Sequence, residues 1–177
     1  MALTPNLIPS QVTTFPCPYD ATLAFCSAQT LSAVASGFNL NNVNATIDLG
    51  GGSPVSAAGR TDFVWSTDIT AMDFTTTDET YKLFLVGSND VAFANGNVEM
   101  LAVLDFAALA ANRILATVLG ATPTIPPTNL GGTIMQVPCT NLKQRIYYRY
   151  LRIYSVLAGT TPIITCTSWI SRANINV

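Results

Sequence analysis

Strand-sized apolar runs, each closed by turn-forming residues, constrain this chain more than any other feature of its sequence. From residue 28 onward they fall at 28–34, 45–49, 62–69, 81–86, 98–106, 133–137, 148–157 and 163–171. Several alternate with period two, the signature of a strand. In the last run, Ile164, Cys166, Ser168 and Ile170 alternate with Thr165, Thr167 and Trp169; in 98–104, Val98, Met100, Ala102 and Leu104 form one set. The breaks carry Gly50-Gly51-Gly52-Ser53-Pro54, Gly87-Ser88-Asn89-Asp90, Asn95-Gly96-Asn97 and Ala158-Gly159-Thr160-Thr161-Pro162. Gly and Asn supply positive φ at low strain there, and Pro interrupts pairing. Eight short strands so punctuated predict an all-β fold, a two-sheet antiparallel β-sandwich with a jelly roll preferred. Composition alone does not separate a jelly roll from an immunoglobulin-like sandwich.

The run 147–157, Tyr-Tyr-Arg-Tyr-Leu-Arg-Ile-Tyr-Ser-Val-Leu, is the most informative single strand. Alternation places Leu151, Ile153 and Leu157 on one face and Tyr148, Tyr150, Arg152 and Tyr154 on the other. The apolar face suits the domain core. The Tyr/Arg face suits a partner, because those residues are enriched in protein interfaces; the plainer alternative is tyrosines that cover a loop of their own chain.

With 177 residues the chain is long enough for one domain with a real core. Charged residues make up 10% of it, against about 25% in ordinary soluble domains. Mean hydropathy is +0.38 and 49% of residues are hydrophobic. Such a surface belongs to a membrane protein, to an unusually large core or to a subunit covered by neighbours. The longest apolar window, 100–121, contains Asp105, Asn112 and Arg113, which disfavours a spanning helix of roughly 20 apolar residues. The first residues lack a basic region followed by an apolar run, so no signal peptide is expected. A net charge of −2 and a pI near 4.8 disfavour nucleic acid as a main partner. The favoured explanation is a subunit of an assembly.

Residues 1–26 read as an extended arm, since Pro5, Pro9, Pro16 and Pro18 block helix and central-strand roles. Pro5, Leu7 and Ile8 are its candidate contacts with a neighbour. Residues 27–177 then form the sandwich domain. The segment 107–119 has the helix formers for at most one short helix. The long loop 120–132 follows it, with Pro123, Ile125 and Pro126 as further candidate contacts.

The chain has no histidine, so a Ser-His-Asp triad is excluded and a cysteine nucleophile would lack its usual base. The carboxylates are scattered and mostly flank turns, where Asp serves local hydrogen bonds. Gly50-Gly51-Gly52 lacks the Lys-Ser/Thr of a phosphate loop, and the five-residue spacing of Asp68, Asp73 and Asp78 fits no calcium loop. Cys17, Cys26, Cys139 and Cys166 have no metal-type spacing and are expected as reduced thiols, a Cys17–Cys26 bridge being the alternative. No enzyme activity, cofactor or metal is expected.

Several runs together resemble the capsid cement, or decoration, proteins of tailed bacteriophages, the Bordetella phage type in particular. They are Ser27-Ala28-Gln29-Thr30-Leu31-Ser32-Ala33, Thr46-Ile47-Asp48-Leu49-Gly50, the stretch from Tyr81 to Asp90 with Ala92-Phe93, and the stretch from Tyr148 to Tyr154 through Ala158-Gly159-Thr160. The resemblance spans roughly residues 27–172, and the order of the pieces carries it. The arm before Cys26 and the segment 107–132 depart from the pattern. The resemblance implies a jelly-roll virion protein that binds the outside of the head and clamps neighbouring copies of the major capsid protein. It also implies a homo-oligomer, a dimer or trimer at local symmetry axes, without catalytic residues. The alternative is a virion-associated carbohydrate- or receptor-binding sandwich, for which Trp65 and Trp169 are candidate platforms, although their strand patterns favour the core.

Overall fold

The computed structural model describes residues 19–32, 35–38, 46–51, 59–73, 78–94, 98–107 and 133–172. The described chain is a succession of strands: β1 (Ala24–Leu31), β2 (Ala35–Gly37), β3 (Ile47–Asp48), β4 (Asp62–Met72), β5 (Thr80–Ser88), β6 (Val98–Ala107), β7 (Thr133–Thr140), β8 (Leu142–Lys143), β9 (Ile146–Tyr147), β10 (Tyr150–Ala158) and β11 (Ile164–Arg172). One 3-10 turn, Ala21–Leu23, precedes β1, capped by the Asp20 side chain, which accepts from the Thr22 amide. Of the segment 107–119 expected to hold a helix, Ala107 ends β6 and the rest lies outside the described residues, as do Pro5, Leu7, Ile8, Pro123, Ile125 and Pro126.

Two antiparallel sheets carry the fold, ordered β1-β11-β4-β7 and β2-β10-β5-β6, with β3 extending β10. Leave aside β3 and the small β8–β9 ribbon, and eight strands remain. The first pairs the last (β1 with β11), the second the seventh (β2 with β10), the third the sixth (β4 with β7), and the fourth the fifth (β5 with β6). That nesting is one long hairpin rolled up on itself. The roll is closed by the pairs β11–β4 and β10–β5. It is the jelly-roll solution to closing a β-sandwich.

Alternation places the core where the sequence predicts it in the central strands. Leu151, Ile153 and Leu157 of β10 are buried, as are Tyr81, Leu83 and Leu85 of β5, with Leu85 opposite Ile153 and Tyr81 opposite Leu157. From the other sheet come Phe63, Trp65 and Ile69 of β4 and Ile164, Cys166 and Ile170 of β11. Each such large side chain contributes on the order of 2 kcal/mol by leaving water. Three polar groups are linked within this core: Trp65 Nε1 donates to Ser168 Oγ at 2.8 Å, and Ser168 Oγ lies 3.0 Å from Thr67 Oγ1.

Three expectations need correction. The domain starts earlier than residue 27, because Ala24, Phe25 and Cys26 are the buried opening of β1. The set Val98, Met100, Ala102 and Leu104 does not share a face. Leu85 pairs with Ala102 but Val86 with Met100, so Leu101 is an extra, unpaired residue. This bulge turns Met100 and Val98 outward, 45% and 37% exposed, while Leu104 stays buried. Lastly, β2 and the β8–β9 ribbon occupy segments in which no strand was expected.

The two ends of the sandwich are built differently. At one, Tyr81 ties two connections together: its hydroxyl donates to Asp73 O at 2.8 Å and accepts from the Ile163 amide at 3.1 Å. Asp78 accepts from the Thr160 amide and hydroxyl beside it. The other end gathers the starts of β6 and β10, the ends of β5 and β7, and the ribbon, and there the candidate site lies.

Candidate functional site

The ribbon is a two-residue hairpin, with Gln144 and Arg145 at φ 51° and 69°. Positive φ at both positions is the turn usually given to Asn-Gly, since it follows the natural strand twist. Two asparagines anchor the ribbon from its two sides. Asn141, fully buried, accepts from the Thr61 amide at 2.7 Å and donates to Gly59 O and Tyr148 O at 3.0 and 3.1 Å. Its own backbone amide donates to Thr61 O and its carbonyl accepts from the Tyr148 amide. It thus joins the start of β4 in one sheet to the approach to β10 in the other. Asn89, at the end of β5, donates to Tyr147 O at 3.0 Å and accepts from the Arg149 amide at 2.9 Å. Lys143 reaches β6, pairing with Glu99 and donating to Met100 O.

Exposed apolar side chains collect on this pinned framework. Ile146 (47%) and Tyr147 (38%) sit on the ribbon, Val98 and Met100 on the start of β6, and Val91 (56%) on the β5–β6 loop. These five are more than half of the nine large hydrophobic side chains exposed among the described residues. The loop that carries Val91 is itself fixed: the Asp90 carboxylate accepts from the amides of Ala92 and Ala94, and the Asp90 amide donates to Ser88 Oγ. An apolar group on backbone held this firmly loses little entropy when a partner covers it.

On the same sheet, in line with Met100 and Val98 across β5, the outward face of β10 carries three of the residues predicted for an interface. Tyr150, Arg152 and Tyr154 are all half-buried. Tyr154 stands edge-on to Phe38 at 5.2 Å between ring centroids, and 6.4 Å from Phe84. The Arg152 guanidinium lies 4.5 Å from the Phe93 ring centroid and 5.5 Å from that of Phe38, and it donates to Thr46 Oγ1 and Val91 O. Arg152 is therefore a strut within its own chain, clamping the loop that presents Val91, and its charge is largely used internally. Arg149 behaves similarly. It grips Asp48 with two hydrogen bonds, 2.7 and 2.8 Å, and lies over the Tyr150 ring at 5.0 Å. This grip holds the Asp48 carboxyl below its usual range.

Tyr148 departs from the prediction. It precedes the first paired residue of β10, and its side chain is buried against Gly87 instead of sharing the face of Tyr150. Burial raises its phenol pKa. The neighbouring Tyr147 is the exposed tyrosine, and sequence alternation had not selected it. Nor had it selected Ile146, Val91, Phe38 or Asn141. Asn141 carries no local signal beyond an amide side chain next to a strand end.

Neither tryptophan offers a platform. Trp65 is fully buried in the core, and Trp169 is 5% exposed on the outward face of β11, with Tyr19 edge-on to it at 5.6 Å. Among the described residues no three His, Cys, Asp or Glu side chains converge as a metal-binding set. Among them, too, no helix is long and apolar enough to cross a membrane. No family model, no curated protein and no solved structure matches this chain.

Proposed function

We propose that this chain is a structural virion subunit of the capsid cement kind, seated on the outside of a phage head and joined to its major capsid protein through the apolar end of the sandwich. The observation that carries this reading is the gathering of Val91, Val98, Met100, Ile146 and Tyr147 on a backbone pinned by Asn89 and Asn141. A surface of low charge and a sandwich with a preformed apolar end are what a clamp between neighbouring subunits requires. The resemblance in the order of its strand sequences supports the same reading, and jelly rolls occur in viral capsid domains as well as in unrelated proteins. On this reading the protein is a homo-oligomer in the particle and has no catalytic role.

Repetition over symmetry-related positions multiplies a modest free energy per contact. The test is reconstitution on heads that lack the protein, measured as copies bound per particle. Ile146→Asp combined with Met100→Asp should abolish binding and leave the thermal midpoint of the free protein within a few degrees. Full occupancy by that variant overturns the reading.

A further inference from the structure

The first and last strands of the roll meet through a pair of thiols that no part of the proposed function uses. Cys26 on β1 and Cys166 on β11 are both fully buried, 140 residues apart in sequence, with their sulfurs 3.9 Å from one another. Cys139 is half-buried. Burial holds its thiol up at about 11.

Two features let the pair react. Among the described residues β1 lies at the edge of its sheet and pairs with β11 alone. Its register also breaks between Cys26 and Gln29, where Ala28 is held at φ 46°. An edge strand interrupted by a bulge opens at lower cost than a central strand. Cys166 lies diagonally across from Cys26, since the residue directly opposite Cys26 is Ser168, two positions along the same face of β11.

We propose that Cys26 and Cys166 are a latent disulfide, a staple between the ends of the roll that closes when the folded dithiol protein meets a small disulfide oxidant. The reaction is thiol–disulfide exchange. As β1 opens, the Cys26 thiolate attacks one sulfur of oxidised glutathione, forming a mixed disulfide and releasing one glutathione thiolate. The Cys166 thiolate then attacks Cys26 Sγ, forming the Cys26–Cys166 bond and releasing the second. Two electrons pass from the protein thiols to the oxidant, and the two thiol protons end on glutathione. Cys26 is the attacking group, because it lies on the edge strand that opens, whereas Cys166 lies on β11 between β1 and β4. The enclosed loop is long, so the bond restricts the unfolded chain strongly. The inference is independent of what the protein binds.

The experiment uses the full chain, purified reduced and then incubated with oxidised glutathione under native conditions. Free thiols are counted after denaturation, the cross-link is mapped by mass spectrometry, and thermal midpoints are compared. The staple predicts loss of two of the four thiols, a peptide pair joining Cys26 to Cys166, and a midpoint raised by roughly 5–15 °C. Reductant should reverse the rise, Cys166→Ser should abolish it, and Cys139→Ser should keep it. A different pairing, four thiols surviving prolonged oxidation even at denaturant concentrations that open β1, or an unchanged midpoint of the cross-linked protein would each overturn the proposal. The wild-type comparison stands even if Cys166→Ser folds poorly.

Discussion

Gly87 and Tyr148 share one space: a Cβ built on Gly87 would lie 2.8 Å from Tyr148 Cβ and 3.0 Å from its Cγ. The missing side chain of β5 is the seat of the tyrosine that leads into β10. Gly87→Ala should therefore destabilise the fold by about 1–3 kcal/mol, the usual cost of overpacking. Tyr148→Gly, which removes both of those atoms, should make a following Gly87→Ala much less harmful. Denaturant unfolding of the two single variants and the double variant measures the coupling; additive losses would contradict the shared space.

Asn141 is expected to be the most sensitive polar residue of the candidate site. Truncation to Ala leaves the Thr61 amide and the carbonyls of Gly59 and Tyr148 without their side-chain partner. Each buried orphan costs about 1–3 kcal/mol, reduced where water enters. A total loss of about 3 kcal/mol or more is expected, with faster amide exchange at Tyr148 and along the ribbon. Unaltered exchange there would show that Lys143 and Asn89 suffice to hold it.

Tyr81 sets an alkaline limit. Burial pushes its phenol up to about 12, against an ordinary value of 10.0. The folded state thus keeps this proton where the unfolded chain releases it, and the associated stability is fully present below pH 10 and lost as pH rises towards 12. Melting midpoints should fall across that window in the wild type. Tyr81→Phe, less stable at neutral pH because it loses bonds to Asp73 O and from the Ile163 amide, should show a shallower alkaline decline. Parallel declines would refute the assignment.

Arg145 is strained for the sake of the ribbon. A non-glycine residue at φ 69° costs roughly 1–2 kcal/mol relative to one that adopts the left-handed region freely. Arg145→Gly should recover about 1 kcal/mol in equilibrium unfolding, and Gln144→Asn with Arg145→Gly somewhat more. If Arg145 itself touches the partner, the glycine variant will fold more stably yet occupy fewer positions on heads. That pair of readouts separates turn geometry from contact.

Much of the fold was legible before any coordinates. Alternation in β10 and β11 is a local property of backbone geometry, and the buried sets Leu151/Ile153 and Ile164/Cys166 follow from it. Turn residues marked the strand ends, and together they predicted an all-β sandwich. The long-range pairing was a different matter. The nesting of β1 with β11 and of β2 with β10 joins segments far apart in sequence, and β2 is a three-residue strand with no pattern of its own.

The candidate site lies where local rules end. Alternation continued past the start of β10 sends Tyr148 outward; the structure buries it, because Tyr148 lies before the ladder and packs into the space left by Gly87 on the neighbouring strand β5. Alternation along β6 sends Met100 inward with Leu104; one bulged residue reverses it. The sequence by itself determined the long strands, much of the composition of the core and the shortage of charge. Tertiary structure alone decided which apolar side chains face water, since that depends on register, bulges and the buried bonds of Asn141, all of them contacts between residues that the chain keeps far apart.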